Sequence, residues 1–333
     1  MTELFKAIVT DDQDGVVKGR LTTLSLSDLP DEEVLVDVAY STINYKDGLA
    51  VSEHSPIRIA RKLPMVSGID LAGTVMESSA AEWKPGTRVL VNGYGLSETY
   101  WGGYSQRARL KPEWLVRVPE KLSLEQSMAI GTAGYTAMLC VLAVEDHGVK
   151  PKDGPILVTG ASGGVGSVAV SLLAELGYEV VASTGNIENN SAFIKGLGAA
   201  SLIARDEMAR ESQPLESERW AGVIDCVGGS TLATALSQAR YGSIVTMTGL
   251  TGGVDLHTTV MPFILRNITL QGVDSVQASQ AIRQRAWQRL AEFVNLVKLG
   301  KIYTVAPLEE VPALCDQILA GAINGRVVID MTN

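Results

Sequence analysis

The chain has 333 residues, 46% of them hydrophobic, and a formal charge of −9. That length predicts about two domains with sizeable cores. The acidic balance excludes a broad nucleic-acid surface, which needs a clustered positive field. Cys140, Cys226 and Cys315 are scattered, form no disulfide framework and fit a reducing compartment. The first residues have no signal-peptide organisation. No unbroken apolar run reaches the ~18 residues of a membrane span. The expectation is a soluble, cytoplasmic protein with no membrane partner.

Residues 1 to about 125 read as all-β. Phe5–Val9, Val34–Tyr40, Gly73–Met76 and Arg88–Val91 are strand candidates, with turn signals such as Lys84-Pro85-Gly86 between them. This predicts a Greek-key or barrel-like domain. The pattern changes at Ser123-Leu124-Glu125-Gln126, where the Ser/Gln spacing is that of a capping box opening a helix through Met128-Ala129-Ile130. A second helix is expected from Thr132 to near Gly148.

Ile156-Leu157-Val158 then reads as a buried strand, followed by a glycine turn from Gly160 to Gly166. Val168 to Leu176 reads as a helix stopped by Gly177, and Val180–Ser183 as the next strand. Strand, glycine turn, helix, strand is a dinucleotide-binding unit. The fingerprint is imperfect, because Ala161 takes the first position and Gly163 and Gly166 the others. Ser162, Gly163, Gly164 and Val165 are the residues expected to meet a pyrophosphate, whose charge suits the N–H groups at a helix start. Strands near 222–227, 242–247 and 268–273 continue a doubly wound parallel sheet. A long amphipathic helix after Ala281 carries Trp287, Leu290, Phe293, Val294 and Val297 and is expected to end at Gly300. Arg326–Asp330 is a last strand expected to return to the first domain.

An NAD site places Asp or Glu about 20 residues past the glycine loop, on the ribose 2′-OH. Here the strand ends Ser183-Thr184-Gly185-Asn186, without a carboxylate, which favours a 2′-phosphate and hence NADPH. Lys195 and Arg205 are the candidate phosphate cations, and Arg205 is equally readable as a solvated loop cation.

Several stretches carry a family resemblance: Asn44-Tyr45-Lys46-Asp47, Pro64 to Gly73, Trp101-Gly102-Gly103, Gly131 to Gly134, Thr159 to Ser167, Val260 to Asn267 and Leu270 to Ser275. On these the chain resembles a medium-chain dehydrogenase/reductase of the quinone oxidoreductase branch, and more narrowly the acryloyl-CoA reductase group. The resemblance implies an α/β architecture: a Rossmann doubly wound domain at 126–299 and a GroES-like mostly-β barrel domain at 1–125 and 300–333. It favours Arg205 as the phosphate holder. It implies Leu250 and Ile264 along the nicotinamide half of the cofactor, Ser275 near its ribose, a contact from Asn324, and Tyr45 facing the nicotinamide, with a packed core tyrosine as the alternative for Tyr45. Zinc-dependent relatives carry a His-Glu pair where this chain has Ile69-Asp70 after Gly68, and His54, His147 and His257 show no ligand spacing, so no metal is expected.

Without zinc, the expected chemistry is reduction of an activated C=C bond by hydride delivered to the β-carbon of an enoyl thioester. Charge then builds on the thioester oxygen, where a donor lowers the barrier. Asn44 is the candidate donor, and Asp47 either orients its neighbours or merely caps a turn. The proton for the α-carbon has no evident side-chain source, and water can serve. The basic stretch His54 to Lys62 offers Arg58, Arg61 and Lys62 to coenzyme A phosphates, with an ordinary solvated loop as the alternative. Two other readings remain: a quinone or general enone reductase, and a non-enzymatic NADPH-binding protein. An exposed edge at Ile268–Val273 predicts a homodimer.

Overall fold

The computed structural model describes residues 3–332. The chain divides into two compact units. One takes the chain up to Thr132, Ser275–Ala291 and the chain from Tyr303 onward, and the other takes Ala133–Asp274 and Glu292–Ile302.

The first unit begins with strands β1 (Leu4–Gln13) and β2 (Val16–Ser25), then β3 (Val34–Thr42) and helix α1 (Tyr45–Val51). Strands β4 (Met65–Val66), β5 (Asp70–Ser78), β6 (Arg88–Asn92), β7 (Arg107–Leu110) and β8 (Val116–Arg117) follow. β1 and β2 form a hairpin closed by Asp14-Gly15, both at positive φ, which matches the twist of the paired strands. β2 lies outside the expected strands because Lys18, Gly19 and Arg20 break its apolar alternation. Gly19 is required there: a β-carbon would meet Val51 Cγ1 at 2.7 Å and Ile8 Cγ2 at 2.9 Å. β3, β5 and β6 pair antiparallel, and their inward residues Val34, Val36, Val38, Leu71, Val75, Val89 and Val91 form the core.

Helix α2 (Leu124–Asp146) opens on the expected capping box, with Ser123 Oγ accepting from Gln126 N and Gln126 Oε1 accepting from Ser123 N, both at 3.0 Å. The two helices expected here meet at Gly131, whose backbone (φ 53°, ψ −160°) is non-helical and open essentially only to glycine, so α2 is two helical segments joined at a kink. Contrary to the expectation from unbroken apolar runs, α2 is long and apolar enough to cross a membrane by length and composition, but its apolar window is wholly buried inside the protein.

The second unit alternates strands β9 (Ile156–Val158), β10 (Val180–Thr184), β11 (Ser201–Ala204), β12 (Trp220–Asp225), β13 (Ala239–Met247) and β14 (Thr269–Gly272) with helices. The helices are α3 (Gly164–Glu175), α4 (Ile187–Leu197), α5 (Arg205–Met208), α6 (Gly229–Gln238) and α7 (Met261–Arg266). The sheet is parallel throughout, in the order β11-β10-β9-β12-β13-β14, with β14 at an edge. The order reverses between β9 and β12, the place where ligands bind in such sheets.

After β14 come helices α8 (Gln280–Phe293) and α9 (Leu296–Leu299), strand β15 (Tyr303–Pro307), helix α10 (Val311–Leu319) and strand β16 (Arg326–Asp330). The long helix expected to reach Gly300 stops at Phe293, because Asn295 Oδ1 accepts from Val297 N and Lys298 N and so caps a new turn. α8 also departs from the expected 126–299 domain. Buried Arg283 ties its segment to β6 by donating to the carbonyls of Asn92 (2.6 Å), Ser275 (2.9 Å) and Val276 (2.7 Å). β16 returns to pair antiparallel with β3, so the first unit is discontinuous.

Candidate active site

The carboxyl ends of β9, β10 and β12 carry the nucleotide-type features. The turn after β9 leads into α3, whose first N–H groups have no helical partner. Gly166 lets that turn close: a β-carbon there would sit 2.3 Å from the Gly160 carbonyl. Ser162, Gly163, Gly164 and Val165 stay partly exposed while Gly166 and Ser167 are buried. The turn is anchored from below. Ser183 O accepts from Ala161 N at 3.0 Å, Thr159 Oγ1 donates to Asp225 Oδ1 at 2.7 Å, and Asp225 Oδ2 accepts from Gly228 N at 2.7 Å.

Ser183 and Thr184 at the end of β10 are buried, with Asn190 Nδ2 donating to Thr184 Oγ1 at 3.0 Å. Gly185 is exposed, and the Arg205 guanidinium lies over it: a β-carbon on Gly185 would approach Arg205 Nη2 to 2.3 Å. Arg205 is exposed and holds no ion pair among the described residues. Glycine turn, open helix start and a free guanidinium over a bare backbone fit a dinucleotide with an extra phosphate. Lys195 is also exposed, on α4. Leu250 lies in the loop after β13, where Gly249 packs on the Cys226 carbonyl. Ile264 is 71% exposed on α7.

The first unit gathers its polar residues differently. Asn44 caps α1, Tyr45 begins it, and Asp47 closes the cap, its Oδ2 accepting from Asn44 N (2.9 Å) and Nδ2 (3.1 Å) and its Oδ1 from Ile69 N (2.9 Å). Asn44 Nδ2 also donates to Asp70 Oδ2 at 3.2 Å. Both amide hydrogens of Asn44 are thus taken by carboxyls, which leaves none for a thioester oxygen, the role expected from sequence. Asn44 is 7% exposed, whereas Tyr45 reaches 36%. Arg326, at the start of β16, donates to Asn44 Oδ1 (3.1 Å), Ile43 O (3.2 Å), Thr42 Oγ1 (2.8 Å) and Ala129 O (3.3 Å). Asp70 Oδ2 further accepts from Thr132 N at 2.8 Å.

Burial and the neighbouring Asp70 push the Asp47 carboxyl up to about 7. Burial raises Asp70 as well, against the pull of Arg326. Asp70, Thr132 and Arg326 were not singled out as site residues from sequence. The available signal was charge inside apolar strands, Asp70 in β5 and Arg326 in β16, since such residues are almost never fully buried unless paired.

Ser275 accepts from Arg283 through its carbonyl, and Asn324 is exposed two residues before Arg326. Arg58, Arg61 and Lys62 are exposed on the loop between α1 and β4 with no ion pair among the described residues. No three His, Cys, Asp or Glu side chains are grouped to hold a metal among the described residues.

Two family models match, "Alcohol dehydrogenase GroES-like domain" over residues 30–120 and "Zinc-binding dehydrogenase" over 164–294. The chain is 49% identical to the acrylyl-CoA reductase AcuI of Ruegeria pomeroyi, over 98% of this chain and 99% of that one. The solved yhdH oxidoreductase of Salmonella enterica, in complex with NADP, superimposes with a TM-score of 0.95 at 46% identity, covering 98% of this chain and 100% of that one. The yhfP protein of Bacillus subtilis, solved with NAD bound, gives 0.95 at 41% identity, covering 99% of this chain and 100% of that one. The chain therefore belongs to the medium-chain dehydrogenase/reductase superfamily, in the group that holds the acrylyl-CoA reductases and their quinone oxidoreductase relatives.

Proposed function

We propose that this protein is an NADPH-dependent, zinc-independent reductase that converts acryloyl-CoA to propionyl-CoA. The observation that carries the reading is 49% identity over 98% of the chain to a protein of that activity by name. When bound, NADPH supplies hydride from its nicotinamide ring. The chain's own part is binding and orientation. The α3 N-terminus and the turn at Ser162–Val165 hold the pyrophosphate, and Arg205 takes the 2′-phosphate across Gly185. Leu250, Ile264, Ser275 and Asn324 complete the cofactor contacts. Asn44 and Asp47 fix the start of α1 and thereby place Tyr45. Arg58, Arg61 and Lys62 hold the coenzyme A phosphates.

β14 is an edge strand exposed along most of its length, and Ile264 and Leu265 of neighbouring α7 are also exposed. Both support a homodimer built on that edge. Three unpaired cysteines support a cytoplasmic setting. Light scattering that finds only monomer at micromolar concentration overturns the assembly.

The test of function is NADPH oxidation with acryloyl-CoA, crotonyl-CoA, quinones and simple enones. Acryloyl-CoA is expected to be turned over best. Turnover of quinones without acryloyl-CoA replaces the reading with a quinone reductase, and no turnover at all with a binding protein.

A further inference from the structure

Asp70 and Asn92 face each other across β5 and β6 as register partners. Such partners project from the same face of the sheet. Asp70 is 0% exposed and Asn92 1%. In each, one oxygen is buried with no hydrogen-bond partner, Oδ1 in both cases. Two orphan acceptors side by side are costly, because each loses its water and gains nothing.

Thr132 fixes how the two side chains are turned. Its N–H donates to Asp70 Oδ2 at 2.8 Å. Its hydroxyl oxygen accepts from Asn92 Nδ2 at 3.3 Å. Asn92 therefore presents its oxygen, not its nitrogen, on the other side.

Charge points the same way. The cluster holds two buried carboxyls, Asp47 on α1 and Asp70 on β5, against one buried guanidinium, Arg326 on β16. The other titratable groups facing it are the Tyr104 hydroxyl and the Cys315 thiol of α10, both held in their neutral forms by burial. One proton makes the cluster neutral. A charged Asp70 would, with burial, hold Asp47 up at about 7, but both Asp47 oxygens already accept N–H groups and leave little room for the proton. Asp70 Oδ1 has room.

We propose that Asp70 is a neutral carboxylic acid in the folded protein, its proton on Oδ1 and given to Asn92 Oδ1, and that in this form it is a positioning residue for Asn44 and the start of α1. One proton thus satisfies both orphan oxygens and removes the excess charge. The direction of the Asp70 pKa, raised by burial, agrees.

Asp70→Asn tests this, because an amide repeats the acid's pattern: its NH2 donates to Asn92 and its oxygen accepts from Thr132 and Asn44. In the infrared difference between native and D70N protein at neutral pH, the carbonyl stretch of one protonated carboxyl is expected in the native protein alone. D70N should keep its Tm within about 3 °C of native, whereas D70A should lose much more. The folded acid keeps a proton that an unfolded aspartate releases near pH ~3.9. Native stability should therefore fall as pH rises from there through the folded pKa, and D70N should lack that slope. In turnover, D70A should lower kcat about tenfold with D70N rescuing it, and the alkaline fall of the native pH profile should be absent from D70N. No protonated-carboxyl band, or a D70N protein as unstable as D70A, overturns the proposal. The kinetic part alone rests on the reductase reading; the infrared and thermal results stand whichever substrate is turned over.

Discussion

Arg205 lies so close over Gly185 that any side chain at position 185 must displace it: a β-carbon would stand 2.3 Å from Nη2 and 2.5 Å from Cζ. What it meets is the far end of a flexible side chain, so Gly185→Ala is expected to cost little stability. It should raise KM for NADPH about threefold to tenfold and leave KM for NADH within about twofold. Arg205→Ala should raise the NADPH value further, about tenfold or more, because charge-assisted bonds to a phosphate are lost. Steady-state kinetics with both nucleotides check this. Equal losses on both assign the 2′-phosphate elsewhere, with Lys195 the next candidate.

Changing Arg58, Arg61 and Lys62 together to Ala is expected to raise KM for acryloyl-CoA about tenfold or more while kcat changes little. Phosphate contacts remote from the reacting carbons are equal in ground and transition states. A small enone without phosphates should be spared, and added salt should shrink the difference. Equal losses on both substrates give these residues a structural role only.

Glu216 accepts from both terminal nitrogens of Arg210, at 2.7 and 2.6 Å, and from Gln238 Nε2 at 2.9 Å. The Arg210 guanidinium holds its carboxyl down at about 2. A depressed carboxyl stabilises the fold above its ordinary value, about 4.3, and that contribution is lost as pH falls through about 2. Native Tm should exceed that of Glu216→Gln by about 2 °C at pH 6, and the gap should close toward pH 2. A gap independent of pH rules the ion pair out as its source.

Gly131→Ala is expected to destabilise by at least about 2 kcal/mol, measured by urea denaturation. Its β-carbon would meet Arg326 Nη2 at 2.5 Å, Thr42 Cγ2 at 2.7 Å and Asp70 Oδ2 at 3.1 Å, on a backbone with φ of 53°. Ala129→Gly, two residues away, keeps the carbonyl that Arg326 uses and serves as the control.

All strands of the parallel sheet except β11 (Ser201–Ala204) were legible, because they are short, apolar and separated by glycine turns, so period and punctuation agree. The capping box at Ser123 was legible for the same reason, since its chemistry is complete within four residues. β2 was not, because its tolerance for Lys18 and Arg20 depends on which face β1 and Val51 cover. The role of Asn44 was misread for a related reason. Its spacing to Asp47 shows a cap, but the second carboxyl, Asp70, and the guanidinium of Arg326 reach it only through folding. Residues 26 to 282 positions apart in the chain leave no local pattern to read.

The guanidinium of Arg326 reaches Thr42 from 284 positions away, and this imposes an order on biogenesis. A ribosome that has released the first 132 residues has released most of one unit but none of β16. The carboxyls of Asp47 and Asp70 then have no guanidinium to face, and β3 has an open edge where Val328 will pair with Thr42. Domains commonly fold from the N-terminus during synthesis. Here the parallel-sheet unit, whose strands β9 to β14 emerge as one uninterrupted run, can close first, and the N-terminal unit must wait for the final residues of the chain.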